Sequence, residues 1–240
     1  MGRWRGQARA KRVRSAPGRF FIPSSPLLHF PLPTVYNSSI PKSARRNPGM
    51  KELVEAVREY GVGIGTDIVK VDMFLNHRMD TELYVKIGQA FAAEFARFEP
   101  DLVLTVEASG IAGALTTAIA CGNIPVVFAK KSRTRNVTGD VYESRVFSFT
   151  HGVENRIRVA KQYLPQGSRV LIVDDFLANG EAAEGLCQLC KQAGAQVVGI
   201  GVCVEKSFQP GHQKLAEAGY RVHALAKVTG IQDGRLIVED

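Results

Sequence analysis

The segment that most constrains the fold of this chain runs from residue 170 to residue 183. It begins with four apolar residues, three of them β-branched, and two adjacent carboxylates, Asp174 and Asp175, follow them directly. A short stretch of small residues with Asn179 and Gly180 comes next, followed by a run of helix-forming residues. This order predicts a buried strand that ends in a tight loop, and a helix that begins at that loop.

A loop of this kind indicates an anion site. Free backbone N–H groups and the positive end of the helix dipole converge there on a small volume, which suits a phosphate. Because Asp174 and Asp175 would repel an anion, we expect them to contact sugar hydroxyls or a magnesium ion instead. On the residues of this loop alone, the alternative that Asp175 and Asn179 are only turn and cap residues stays open.

The basic charge of the chain is concentrated in one segment. The formal net charge is +8, yet residues 1–49 contain ten Lys and Arg and no acid, so the other 191 residues carry 21 basic and 23 acidic side chains. We expect the Pro-, Ser- and Arg-rich residues 1–49 to be a disordered extension to a domain of residues 50–240. A transit peptide, a nucleic-acid-binding arm and a native start at Met50 are the three interpretations. The helical pattern that begins at Met50 favours the third.

The amino-acid composition indicates the redox compartment of the protein and argues against some classes of partner. The four cysteines lie within a domain large enough to fold without disulfides, which favours a reducing, cytoplasmic environment. No stretch approaches the roughly 20 apolar residues of a membrane span. Residues 1–49 lack helix-turn-helix patterning and clear aromatic interleaving, so a nucleic-acid partner is not expected.

Strands and helices alternate along residues 50–240, which predicts an α/β fold with a doubly wound, mostly parallel sheet. The predicted helices are 51–60, 81–98, 111–120, a helix after Gly180, and 213–218. The predicted strands are 102–106, 126–129, 141–149, 156–163, 170–173, 196–204 and a last strand at 221–228. Residues 68–77 are predicted to be extended, and residues 130–140 to form a mobile loop.

Four loops follow predicted strands and would meet at one edge of a parallel sheet. They are the loop after Asp175, the small-residue turn 107–111, the basic segment beginning at Lys130, and residues 205–211, which carry Lys206 and Phe208. Each loop alone also fits an ordinary turn or a solvated surface. Together they predict a crevice for a ligand with separated phosphates and a planar ring.

These motifs resemble those of the type I phosphoribosyltransferases over residues 50–240. The segment 170–183 is similar to the family's fingerprint for 5-phosphoribosyl-1-pyrophosphate (PRPP), an apolar strand, two acids and a small-residue loop. Within the family, the forms Asp-Asp-Phe-Leu-Ala-Asn-Gly at 174–180 and Glu-Lys-Ser-Phe-Gln-Pro-Gly at 205–211 most resemble the bacterial members that use xanthine. Most other members have Thr or Ser where this chain has Asn179.

The resemblance implies a core sheet with a small hood subdomain, a homodimer, and specific roles for residues. The backbone amides of the loop after Asp175 would bind the 5′-phosphate, and the turn at 107–110 would face pyrophosphate. Asp174 and Asp175 would contact the ribose as the catalytic acids. Mg²⁺ would be held mainly through PRPP, with no direct protein ligand. The PRPP-binding residues would be Ala178, Asn179, Gly180, Glu181, Ala182, Glu107, Ala108, Ser109, Gly110 and Lys130, and the base-binding residues Val69, Asn76, Lys206 and Phe208.

The implied activity is that of a purine-salvage glycosyltransferase, a pentosyltransferase that converts PRPP and xanthine to xanthosine 5′-monophosphate and pyrophosphate. Lys206 only donates hydrogen bonds, so it favours a 6-oxo purine over adenine. The residues alone leave guanine and hypoxanthine open as substrates. They also leave open a PRPP-binding transcriptional regulator of the same fold. For Phe208, core packing is an equal alternative to stacking on the base.

Overall fold

A six-stranded sheet forms the centre of the computed structural model, which describes residues 50–131, 140–148 and 153–239. Its strands are β3 (Leu102–Val106), β4 (Val126–Ala129), β7 (Arg169–Leu177), β8 (Gln196–Lys206), β9 (Val222–Gln232) and β10 (Arg235–Val238). They lie in the order β4-β3-β7-β8-β9-β10, with β4 through β9 parallel and β10 antiparallel to β9. The helices are α1 (Lys51–Tyr60), α2 (Thr81–Phe95), α3 (Gly110–Ala120), α4 (Glu181–Ala193) and α5 (Gly211–Glu217).

The sheet is covered on both faces, which confirms the doubly wound α/β prediction. Successive residues of β7 point to opposite faces, and both sets are buried because helices cover each side. Leu171 and Val173 pack with α1, α2 and α3. Val170 and Ile172 pack on the other face with α4, with Leu215 of α5, and with Ile157 and Val159.

Two strands lie outside the central sheet. β5 (Val141–Ser148) and β6 (Val153–Ala160) form an antiparallel hairpin, and its Ile157 and Val159 cover the α4 face. The predicted strand 156–163 therefore begins earlier, and its end, Lys161–Tyr163, is a 3₁₀ turn. Phe149, the predicted extension 1–49 and most of the predicted loop 130–140 lie outside the described residues.

Two sequence predictions of local structure were wrong. The predicted last strand, 221–228, continues to Gln232, turns through Asp233 and Gly234, which have positive φ angles, and returns as β10. The segment 68–77 is extended only at β2 (Ile68–Lys70), after which Asp72–Asn76 forms a π-helical turn. That turn lets the consecutive residues Phe74 and Leu75 both face the core, which the alternation of an extended segment would prevent.

The hood is a small subdomain beside the end of the sheet. The hairpin of β1 (Val62–Ile64) and β2 precedes the π-helical turn, and the Gly63 amide donates to the Gly234 carbonyl at 2.9 Å. A second hydrogen bond holds the hood to the sheet: Lys206 Nζ, at the end of β8, donates to the Asp67 carbonyl at 2.8 Å. The hood is therefore fastened to β8 and to the β9–β10 hairpin.

The packing of α2 on α3 depends on one glycine. A Cβ at Gly88 would lie 2.4 Å from the carbonyl carbon and oxygen of Thr116 in α3. Gly88→Ala should therefore lower the free energy of unfolding by about 1–3 kcal/mol, although Ala is normally the better helix former. Urea denaturation measures the change. Gln89→Ala, at an exposed position of the same helix, is the control, and a Gly88→Ala protein as stable as the parent would contradict this account.

Candidate active site

The two acids of β7 occupy different surroundings. Asp174 is 6% exposed and lies under the loop between β3 and α3, where a Cβ on Gly110 would be 2.6 Å from its Oδ1. The same oxygen accepts a hydrogen bond from the Asp175 amide at 3.0 Å. Burial, and then the neighbouring charge of Asp175, raise the pKa of Asp174 well above its ordinary value.

Asp175 links the sheet to the hood. Its side chain is nearly buried, and its Oδ2 accepts a hydrogen bond of 3.3 Å from Asn76 Nδ2, at the end of the π-helical turn. The structure thus brings together a predicted catalytic residue and a predicted base-binding residue that are 99 positions apart in the chain.

The loop between β7 and α4 has unpaired amides. Among the described residues, no backbone carbonyl accepts a hydrogen bond from the amides of residues 179–183. Gly180 adopts a φ of 98°, a left-handed conformation that glycine tolerates best, and α4 begins directly after it. The Glu181 amide donates to its own side chain, and the other donors, at the positive end of a 13-residue helix, form a ready anion site.

A carboxylate lies at the edge of this loop. Glu181 Oε1 is buried and has no hydrogen-bond partner among the described residues. Burial raises the pKa of Glu181, and a hydrogen bond from its own backbone amide and the nearby Lys214 ammonium oppose that shift. The Lys214 Nζ also donates to the Asn179 carbonyl at 3.3 Å, so a positive charge stands beside the loop.

A cavity of about 490 Å³ lies between this loop and the hood. Three predicted base-binding residues line it, Val69, Asn76 and Lys206, together with Ala178 and Asn179 of the loop. Lys206 is half-buried, and this burial lowers the pKa of its ammonium group. The predicted fourth member, Phe208, is 37% exposed and is not among the lining residues.

Four further residues line this cavity and were not predicted as site residues from the sequence: Asp67, Ile68, Phe176 and Gln209. Phe176, and not the predicted Phe208, contributes an aromatic ring to the cavity wall, and its position directly after the two acids was the available signal. Gln209 Oε1 is buried with no partner among the described residues. Its distance from Lys206, three residues along one tight turn, is visible in the sequence, but its orientation is not.

The loop from Glu107 to Gly110 lies beside the acids at the end of β3. Glu107 Oε1 accepts a hydrogen bond from the Lys131 amide at 2.6 Å, which fixes the start of the basic segment next to this loop. Lys130 does not reach the 490 Å³ cavity. Its ammonium lies 6.0 Å from the centre of the Phe128 ring, and it lines a separate cavity of about 660 Å³ along β4.

The described residues contain neither a cluster of metal ligands nor a helix that could span a membrane. Within residues 50–131, 140–148 and 153–239, no three His, Cys, Asp or Glu side chains lie together in a way that could hold a metal ion. None of the helices in these ranges has the length and apolar character needed to span a bilayer.

Comparison with known proteins identifies the family. Residues 81–219 match the phosphoribosyl transferase domain. The chain belongs to this phosphoribosyltransferase family. It is 46% identical over 187 residues to the xanthine phosphoribosyltransferase of Limosilactobacillus fermentum, covering 78% of this chain and 95% of that protein. It is 49% identical over 179 residues to the xanthine phosphoribosyltransferase of Bifidobacterium adolescentis, covering 75% of this chain and 93% of that one.

Solved phosphoribosyltransferase structures share the fold. The adenine phosphoribosyltransferase of Rhodothermus marinus superposes with a TM-score of 0.60 at 22% identity, covering 74% of this chain and 99% of that one. The Giardia lamblia enzyme complexed with 9-deazaadenine gives a TM-score of 0.61 at 19% identity, covering 73% and 97%. At this identity the likeness shows the architecture alone, so the adenine in these names does not bear on the base that this phosphoribosyltransferase uses.

We expect the buried Asp174 to make the stability of this phosphoribosyltransferase depend on pH. An acid whose pKa is raised in the folded state contributes full stability below its unfolded pKa and loses it as pH rises through the folded pKa. Asp174→Asn keeps the acceptor for the Asp175 amide without the charge. It should therefore be more stable than the parent at pH 8, by about 1 kcal/mol or more since each pKa unit is worth about 1.4.

Thermal or urea unfolding at pH 5, 6, 7 and 8 measures this difference, which should shrink toward pH 5. Asp233→Asn removes the same charge at an exposed turn and should show no such trend. A stability gain in Asp174→Asn that stays constant or grows as pH falls would contradict the buried acid.

Proposed function

We propose that this protein transfers the 5-phosphoribosyl group of PRPP to xanthine, giving xanthosine 5′-monophosphate and pyrophosphate in purine salvage. The observation that carries the proposal is the shared cavity, in which Lys206, Asn76 and Gln209 lie beside the free amides of the β7–α4 loop. Relatives that are 44–49% identical over most of the chain carry the name xanthine phosphoribosyltransferase, which supports the choice of base.

The loop amides are suited to the 5′-phosphate. Residues 179–183 supply donors at a helix start, and Ala178 and Asn179 line the cavity together with Asn76, which contacts Asp175. The loop Glu107–Gly110 lies at the adjacent strand end, where it would face pyrophosphate. Asp175, which contacts Asn76, and Asp174, which lies beneath the loop at Gly110, would both meet the ribose hydroxyls.

The reaction asks mainly for electrostatic stabilisation and exclusion of water. As pyrophosphate leaves, positive charge develops on the ribose carbon, and a carboxylate nearby stabilises that charge. Asp175 is nearly buried, so its charge acts in a setting where water screens it little. A closed site also prevents hydrolysis of PRPP.

Base recognition follows from hydrogen-bond directions. Lys206 donates to the 6-oxo group, while Ile68, Val69 and Phe176 give apolar walls for a planar ring. Xanthine carries an oxo group at C2 next to a ring N–H, an acceptor beside a donor. The side-chain amide of Gln209 offers the complementary donor and acceptor, and its buried Oε1 has no partner in the described part of the chain. In guanine this pair is reversed, because the amino group at C2 is a donor and N3 is an acceptor. Hypoxanthine has no oxo group at C2.

Mg²⁺ fits the site as an ion brought by PRPP. The described residues supply no set of three ligands, and Mg²⁺ characteristically binds through substrate phosphates with one or two carboxylates. Bound in this way, it would neutralise the charge of the departing pyrophosphate. Asp175 and Glu107 are carboxylates at the crevice whose oxygens would bind it.

We further propose a cytoplasmic homodimer. The four cysteines are free, which suits a reducing compartment. Leu115 and Ile119 lie one helical turn apart on α3 and are 52% and 55% exposed, an apolar surface that a second subunit could cover. Light scattering measures the oligomeric state, and a monomer at micromolar concentration would rule out the dimer.

The function is tested by incubating the protein with PRPP, Mg²⁺ and one base at a time. We expect pyrophosphate and nucleotide to form fastest from xanthine, more slowly from guanine and hypoxanthine, and not from adenine. Binding of PRPP without turnover of any base would contradict the enzyme and support a regulator. Faster use of adenine would contradict the role of Lys206.

The same assay tests base recognition through matched variants. Gln209→Leu should lower kcat/KM for xanthine by about 10- to 100-fold, because one or two hydrogen bonds are lost, while hypoxanthine use changes little. Gln213→Leu, the same substitution at an exposed position of α5, is the control. An unchanged ratio of xanthine to hypoxanthine use in Gln209→Leu would exclude Gln209 from base selection.

A further inference from the structure

A buried carboxylate closes the segment 205–212 into a loop. Glu205, at the end of β8, is 4% exposed, and both of its oxygens are used. Its Oε1 accepts from Ser207 Oγ at 2.8 Å, and His212 Nδ1 lies 2.7 Å from its Oε2. The hydrogen bond to His212 joins the two ends of the segment. Between them, the backbone amide of Gln209 donates to the Lys206 carbonyl at 2.9 Å and closes a tight turn.

One side of this segment forms a wall of the base cavity. Lys206 and Gln209 lie between the joined ends, and both line the 490 Å³ cavity. Neither contacts Glu205 by a hydrogen bond of its own, so their positions depend on the shape of the closed turn.

The C-terminal end of the segment contacts the loop between β7 and α4, which is the proposed phosphate loop. The Gly211 amide donates to the Ala178 carbonyl at 3.0 Å, and the two backbones approach so closely that a Cβ on Gly211 would lie 2.4 Å from that oxygen. The same Cβ would lie 2.8 Å from the Gly180 amide nitrogen. Any shift of Gly211 is therefore transmitted to the amides at the start of α4.

We propose that Glu205 and His212 are positioning residues that couple the base cavity to the phosphate loop. This inference rests on the proposed PRPP and base sites. Each ligand would hold the segment 205–212 in the arrangement that the other requires, so the second ligand to bind meets a segment that is already ordered. Coupling of this kind is positive and reciprocal.

A purely structural role for the pair makes a different prediction. A buried acid needs hydrogen-bond partners wherever it lies, so loss of His212 would then lower stability without changing the affinity for either ligand. Since the His212 side chain is 38% exposed and lies at the start of a surface helix, its substitution should leave the protein folded.

The kinetic test compares His212→Ala with His212→Asn, whose Nδ2 can replace Nδ1 as the donor to Glu205. We expect the Ala variant to raise the KM for PRPP and for xanthine together by about tenfold, the worth of a hydrogen bond to a charged group, with kcat changed much less. The Asn variant should recover most of both values. Gln213→Ala, at the next and exposed position, should match the parent.

The binding test uses ribose 5-phosphate, which offers a phosphate but no pyrophosphate to displace, so no reaction occurs. In calorimetry, saturating ribose 5-phosphate should tighten xanthine binding to the parent protein about fivefold or more, and this ratio should fall toward one in His212→Ala. A ratio of one in the parent, or an Asn variant as impaired as the Ala variant, would overturn the proposal.

These outcomes are separate from the proposed function. A parent protein that turns over no base with PRPP contradicts the function, whereas the two binding ratios still decide whether the segment couples its neighbours. Thermal unfolding of each variant shows whether any loss of affinity reflects a loss of folded protein.

Discussion

The unpaired amides at the start of α4 are the feature on which the rest of the site depends. They are free because the chain turns through Gly180, at a φ of 98°, directly into the helix, and because no described carbonyl accepts from residues 179–183. Gly211 supports the loop from behind without a side chain in the way. A phosphate bound there would be held by the backbone, so the surrounding side chains are left to act on ribose and base.

The acids beside this loop are buried, which is unfavourable for their charged form. Asp174 is buried at the centre of the fold, where burial raises its pKa, and Thr105 Oγ1 nearby is buried with no partner among the described residues. Natural proteins keep such unfavourable groups mainly where function requires them. Asp175, in contrast, has a hood partner in Asn76, which places a carboxylate between the sheet and the base cavity.

Local patterns in the sequence predicted the parts of the site that neighbouring residues determine. The strand, acids and loop of residues 170–183 are contiguous, and so are Lys206 and the turn after it. The β10 hairpin was missed although Asp233-Gly234 is a recognisable turn signal. The sequence shows that Phe176 follows the acids and that Gln209 is close to Lys206, but their place in the cavity wall, like that of Ile68, depends on how the hood lies against β7 and β8. The contact of Lys130 with Phe128, in contrast, is local, because residues two apart on an extended segment point to the same face.

The most direct test of the account is to observe the loop amides while a phosphate binds. In ¹⁵N–¹H spectra of the protein titrated with ribose 5-phosphate, the amide signals of residues 179–183 should show the largest shifts in the chain and move downfield, as new hydrogen bonds to phosphate form. Saturable binding that leaves these signals unchanged, with the largest shifts elsewhere, would contradict the proposal that this helix start is the phosphate receptor.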